Sequence, residues 1–338
     1  MSKVPVIVLS GFLGSGKTTL LLRMLQEADS FQLTPAVLMN ELGKQDVDGH
    51  LLQAASPDLP MTKLLDGCIC CSKKSDISGA VKQLLLRKPS VILIELTGVA
   101  NPEEIVDALT EPALLPYVKL HQVITLLDAE NVLDYNSIFA ADRELVHTLR
   151  RQIEVADLLL LNKIDFVSAK KLVTIEKTIR KYNDRSLLLP TTHSHFDLAL
   201  VFGSLLPQKQ VPSQALSFNN KFQIQAVKAV QQPNSAPSPA VSYSRIHTVT
   251  LPIEEGFPLT QSIVERYLAK WGSSLLRAKG YLRIGSQSEP SLMQFAGKRI
   301  NWQSSSFAGS PYLVLIGLDL DADVLIADWK QRLAEYLR

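Results

Sequence analysis

Nine residues, Gly11-Phe12-Leu13-Gly14-Ser15-Gly16-Lys17-Thr18-Thr19, constrain this chain more than any other stretch. They follow the apolar run at 4–9 and precede a stripe of Leu20, Leu21, Met24 and Leu25, so they read as strand, glycine loop, helix. The spacing fits a phosphate-binding loop. Backbone N–H groups wrap a polyphosphate only where side chains leave room, which is what Gly11, Gly14 and Gly16 provide around Ser15. The helix opening at Lys17 turns its positive end to the phosphates, Lys17 reaches the terminal groups, and the Thr18 hydroxyl suits Mg2+. Thr19 completes the first turn.

Downstream, polar residues recur at strand ends, where an open parallel sheet places its ligands. The run 35–39 ends at Asn40-Glu41, and Glu41 is a candidate for magnesium, the attacking water or a second metal. The run 90–94 ends at Glu95-Leu96-Thr97-Gly98; Glu95 suits magnesium through a water, and the Gly98 N–H suits a γ-phosphate. A third run, 157–161, delivers Asn162-Lys163-Ile164-Asp165. The Asp165 carboxylate can accept from the N1–H and exocyclic amine of guanine, a pair adenine lacks, so the tetrapeptide argues for GTP over ATP. Thr191 to His195 is read as the loop closing over the base, with His193 and His195 as solvated loop residues. Asn101-Pro102-Glu103-Glu104 reads as a capped helix start.

All three cysteines, Cys68, Cys70 and Cys71, fall together, which is a poor disulfide framework and suits a reducing compartment, with cytoplasm as the expected location. Three such thiols can converge on one soft cation, and a tetrahedral zinc site needs a fourth donor, for which Glu41, Asp48 and His121 are of the right type. The stretch 43–62 reads as a loop that a γ-phosphate would order.

The 338 residues, 46% hydrophobic, suffice for two cores. A net charge of +2 with dispersed basic residues argues against a nucleic-acid partner. No apolar run reaches the ~20 residues of a membrane span, and 4–9 is too short for the core of a signal peptide. Residues 1–207 are expected to form an α/β nucleotide domain with a mostly parallel sheet flanked by helices. A Gln/Pro/Ser linker at 208–242 then leads to a small α+β domain with a mainly antiparallel sheet at 243–338. In that second unit, Arg277-Ala278-Lys279-Gly280 reads either as a surface facing the nucleotide domain or a partner, or as a basic strand ending in a turn glycine.

Taken in order, the glycine loop, Asn40-Glu41, Cys68-Ile69-Cys70-Cys71, Glu95-Leu96-Thr97-Gly98, Asn162-Lys163-Ile164-Asp165 and Arg277-Ala278-Lys279-Gly280 resemble the CobW-type family of GTP-dependent metallochaperones. The resemblance implies a P-loop GTPase fold, slow GTP hydrolysis, and zinc or a related divalent ion such as cobalt at the three cysteines. It also implies a metal-requiring client protein, and it leaves the oligomeric state open, a dimer included. In this reading Lys17, Glu41 and Glu95 carry the hydrolysis. Two departures matter: Lys44 stands where many relatives carry an acid, and the histidine-rich tract of many relatives is missing, which argues against bulk metal storage. Rival readings are an ATP-dependent kinase or ligase sharing the loop, and a module whose cysteines sense metal or redox state.

Overall fold

Unbroken apolar runs suit strands covered on both faces. The structure, a computed structural model, describes residues 3–40, 61–64, 73–137, 142–205, 245–253, 257–285, 289–296 and 299–336. Its first part is β1 (Val4–Ser10), α1 (Lys17–Ala28), β2 (Pro35–Asn40), β3 (Met61–Leu64), α2 (Lys73–Leu85), β4 (Val91–Glu95), α3 (Pro102–Leu109), β5 (Val118–Asp128), α4 (Arg143–Glu154), β6 (Leu158–Asn162), α5 (Ala169–Ile179) and β7 (Leu187–Pro190). The seven strands form one sheet in the order β3-β2-β4-β1-β5-β6-β7, every pair parallel.

Period-two alternation divides this sheet's core. Val6 and Val8 join Ile92 and Ile94 under α2 and α3, while Ile7 and Leu9 join Leu93 and Leu126 under α1. The apolar stripe of α1 is Leu20, Leu21, Met24 and Ala28, all buried. A third cluster sets Leu149 and Ile153 of α4 and Ile175 and Ile179 of α5 against Leu127, Leu159 and Leu161. Because β1 lies between β4 and β5, the chain turns to opposite sides of it, and the crevice at its carboxyl end is where such a sheet holds a ligand.

The second part is β8 (Ile246–Pro252), α6 (Gln261–Lys270), β9 (Leu275–Leu282), β10 (Ser291–Ala296), β11 (Arg299–Ser304), β12 (Tyr312–Leu318) and α7 (Ala322–Tyr336). Its sheet runs β11-β10-β9-β12-β8, all antiparallel. Antiparallel strands usually wet one face, yet β12 is buried along Leu313, Val314, Leu315, Ile316 and Gly317. Leu313 and Leu315 pack with Tyr267 and Trp329 of α6 and α7, and Val314 and Ile316 join the α2/α3 cluster of the first part. The two sheets therefore share a core through β12.

Three sequence expectations are corrected. Met61–Leu64 is a strand, β3, where the sequence reads as loop to 62; four residues paired on β2 suffice for an edge strand. Asn101 precedes α3 but makes no side-chain capping bond, Pro102 and the two acids sufficing to start the helix. Gly280 is no turn glycine: it lies inside β9, where a Cβ would come within 2.6 Å of the Tyr312 carbonyl on the adjacent strand. The proposed linker lies outside the described residues.

Candidate functional site

The loop between β1 and α1 has the backbone its glycines allow. Gly11, Gly14 and Gly16 have φ of 129°, 75° and 105°, all left-handed. At Gly16 a Cβ would also meet the Asn162 amide nitrogen at 2.5 Å. Gly16 lacks a capping side chain and the first turn of α1 carries no acid, so the helix offers its leading N–H groups and positive end without internal competition. Lys17, buried at 6% exposure, donates from Nζ to the carbonyls of Gly11 (2.8 Å) and Phe12 (3.0 Å), which folds the ammonium back over the loop. The Ser15 hydroxyl is buried with no hydrogen-bond partner among the described residues. Phe12 anchors the loop by stacking on Tyr135 at 5.1 Å, whereas Leu13 is 84% exposed at its tip.

Thr18 Oγ1 donates to Glu95 Oε1 at 2.8 Å. This joins the first turn of α1 to the end of β4, 77 residues away in sequence. A hydroxyl and a carboxylate oxygen side by side form a hard donor set that fits Mg2+, and the glycine cradle beside them fits phosphate oxygens. Past β4, Gly98 lies against the backbone of Leu13, and Thr97 Oγ1 is buried without a partner among the described residues. Gln152 of α4 fixes this segment by donating to the carbonyls of Gly98 (3.2 Å) and Ala100 (3.0 Å). Sequence reasoning missed Gln152. The available signal was a polar residue on the apolar stripe of α4, beside Val146, Leu149 and Ile153.

At the end of β6, Asn162 acts as a hub. Its amide nitrogen donates to the Ser15 carbonyl (2.9 Å), and its Oδ1 accepts from Ser194 N (2.8 Å) and Thr191 Oγ1 (3.2 Å). Lys163 takes a left-handed φ of 63° and pairs with Asp128 at 2.7 Å, so its stem is held across the carboxyl edge of the sheet. Asp165 follows in a short 3-10 turn, exposed and without a side-chain partner among the described residues, which suits a carboxylate that receives a base. The loop after β7 is tied to the same place: Ser194 Oγ donates to the Gly16 carbonyl (3.1 Å), and Arg23 of α1 donates to the Ser194 carbonyl. The sequence marked 191–195 as a loop at the site but not the contacts of Ser194 within it, and it did not mark Arg23.

The CobW/HypB/UreG nucleotide-binding domain model matches residues 5–190, more than half of the chain, and the cobalamin synthesis protein cobW C-terminal domain model matches 248–333. The chain belongs to the CobW/HypB/UreG family. It is 32% identical over 204 residues to zinc-regulated GTPase metalloprotein activator 1 of Schizosaccharomyces pombe, covering 58% of this chain and 48% of that one. It is 26% identical over 370 residues to the zinc chaperone CobW of Pseudomonas aeruginosa (99% and 92% covered) and 29% identical over 348 residues to the zinc chaperone YjiA of Escherichia coli (97% and 98% covered). The chain thus spans about half the length of the first relative and nearly all of the other two.

In this CobW/HypB/UreG chain the basic residues of β9 face the nucleotide-binding domain. Arg277 bridges Glu104 (3.2 Å) and Asp107 (3.3 Å) on α3, and Lys279 reaches Glu111 (3.2 Å) just beyond that helix. Residues two apart on a strand share a face, as do residues three or four apart on a helix, so the two elements interlock. Since α3 begins four residues after Gly98, this clamp grips the helix that leads out of the proposed phosphate site.

Glu41, Cys68, Cys70 and Cys71, the metal-binding candidates, lie outside the described residues, as do Asp48 and Lys44. Among the described residues no group of three or more His, Cys, Asp or Glu side chains is placed to hold a metal. His121, the one candidate fourth donor within the described residues, is buried. It sits at the bulge of β5 opposite β1, 3% exposed, with Nε2 at 2.8 Å from Ser204 Oγ. Burial, aided by the charge of Lys119, lowers its pKa to about 4, so the ring is neutral. No described helix is long and apolar enough to cross a membrane.

Proposed function

We propose that this chain is a GTP-hydrolysing metallochaperone that couples its nucleotide state to holding one divalent metal, zinc in the first instance, and passing it to a metal-requiring client. The Thr18–Glu95 contact carries the reading, because it puts the expected magnesium ligand of the glycine loop against the carboxylate of the strand-end motif. Lys17 and the loop amides neutralise the phosphates, Thr18 and Glu95 organise magnesium and water with Glu41, and Asp165 selects guanine, with Asn162 and Lys163 building its platform. The names of the relatives, zinc chaperones and a zinc-regulated GTPase activator, support the same assignment. We place the nucleotide domain at 1–207, the linker at 208–242 and the second domain at 243–338.

Sheet register supports the coupling. Met39 of β2 is level with Glu95, and Asn40, one residue on, is level with Leu64, the last residue of β3. The chain therefore leaves β3 at the sheet edge that carries Glu95 and the phosphate loop, and Cys68 follows Leu64 by four residues in sequence. A γ-phosphate that orders this edge changes the metal site by linkage, and the metal must change nucleotide affinity by the same factor. Titrating Zn2+ into reduced protein loaded with a non-hydrolysable GTP analogue, and separately with GDP, tests the proposal. A several-fold difference in zinc affinity is expected; equal affinities would sink the coupling.

A further inference from the structure

A cleft of about 350 Å³ opens between the two domains, lined by α3, the first residues of β5, and β8. It sits at the amino edge of the parallel sheet, beside Lys3 before β1 and Val118 and Lys119 at the start of β5, whereas the phosphate loop leaves the opposite edge. Nothing in the proposed GTP or metal chemistry uses it.

Its walls are Val106 and Leu109 of α3, Val118 and Leu120 of β5, and Ile246 and Val249 of β8, each less than 10% exposed. Two cations join them, Lys3 and Lys119, and among the described residues no carboxylate lines the space. Neither lysine forms an ion pair among the described residues. The acids of α3 and its following turn are turned elsewhere, Glu104 and Asp107 to Arg277 and Glu111 to Lys279. His247 is also committed, its Nδ1 lying 2.6 Å from the Leu320 carbonyl. Thr248 and Thr250 add exposed hydroxyls at the mouth.

We propose that this cleft is a binding site for a small organic anion with an apolar body. The volume lies at the small end of the range for ligand pockets, and domain interfaces are where such pockets recur. The walls supply apolar burial; the lysines set the sign of the head group, since an anion gains two cations there and meets no carboxylate. An occupant is wedged between α3 and β8, so it braces the two domains against each other and stabilises the folded chain by mass action. This inference does not depend on the metal chemistry, and its readout is independent of turnover.

The probe is 8-anilinonaphthalene-1-sulfonate, an apolar body with one sulfonate, titrated into the full chain in saturating GDP and Mg2+ so that the nucleotide site is filled. Saturable binding of one probe per chain and a raised melting temperature are expected. The double variant Lys3→Glu/Lys119→Glu should weaken binding roughly tenfold, about 1.4 kcal/mol. Thr248→Trp, which fills the mouth, should weaken it at least as much. The neutral N-phenyl-1-naphthylamine should bind wild-type protein and the lysine variant within about twofold of each other, since it has no charge for the lysines to attract. Both variants are compared with wild type for melting temperature and basal GTP turnover, which should be unchanged, because the probe also binds loosened protein. Absence of saturable one-to-one binding, or unchanged affinity in the lysine variant, overturns the proposal.

Discussion

Thr18 on α1 donates to Glu95 at the end of β4 over 2.8 Å, and this bond brings together the two described side chains proposed to organise magnesium. Thr18→Ala removes the hydroxyl while leaving the loop glycines in place. GTP turnover at saturating nucleotide should fall roughly a hundredfold, on the scale of losing one preorganised electrostatic contact. The Mg2+ concentration for half-maximal activity should rise as well. Steady-state phosphate release across a magnesium titration checks both, and turnover within a few-fold of wild type would remove Thr18 from the site.

Asp165 stands exposed after the Lys163 turn, with no side-chain partner among the described residues for a base to replace. Asp165→Asn exchanges a double acceptor for a side chain that must present a donor beside its acceptor. Guanine affinity should fall about a hundredfold or more, and xanthine nucleotides, whose C2 carbonyl accepts that donor, should bind better than they do to wild type. Competition with a fluorescent guanine nucleotide measures this. Undiminished GDP binding would reopen the choice between GTP and ATP.

Arg277 spans Glu104 and Asp107, and the Asp107 side chain is only 5% exposed. Arg277→Ala takes the guanidinium away from that buried carboxylate, so the loss should exceed the ~1 kcal/mol that a surface pair contributes. Adding Asp107→Ala should recover part of it. Urea denaturation of the two single variants and the double variant gives the coupling energy, and simple additivity would show that the clamp does not act as a unit.

His121 sits buried behind Lys119 with its pKa lowered to about 4 from an unfolded value of 6.5. Above pH 6.5 neither state binds the proton and the group contributes nothing to the pH dependence. As pH falls from 6.5 to 4 the unfolded chain takes up a proton that the folded chain refuses, so stability drops, by about 3 kcal/mol at the bottom of the window. His121→Gln keeps a polar partner for Ser204 and removes the titration. The difference in urea midpoint between the two proteins should therefore shrink or reverse between pH 7 and pH 4.5; a constant difference would deny the shift.

The elements of the parallel sheet were legible wherever the runs were long and apolar, as at Leu158 to Leu161, because burial on both faces forces such composition. The strand at Met61–Leu64 was not, since four residues with one lysine carry no period. In the candidate site, the placement of Lys17 and Thr18 in the first turn of a helix, and of Asp165 just past a strand, was readable from spacing. Gln152, Arg23 and Ser194 were not, because their roles come from carbonyls of segments remote in sequence. His121 suggested a ligand by type, and only the fold showed that it is buried at the bulge of β5 against β1.

What the sequence determined by itself is local: a glycine loop whose left-handed backbone needs no tertiary help to be specified, carboxylates at or just past the ends of four apolar runs (Glu41, Glu95, Asp128 and Asp165), and three thiols within four residues. The tertiary structure decided what those pieces meet. Parallel pairing of β1 with β4 brings Glu95 to Thr18, the Asn162 amide holds the loop through the Ser15 carbonyl, and β9 lays Arg277 and Lys279 along α3. Those contacts depend on strand order and register, which are set by burying both faces of two sheets at once, and no window of sequence contains both partners.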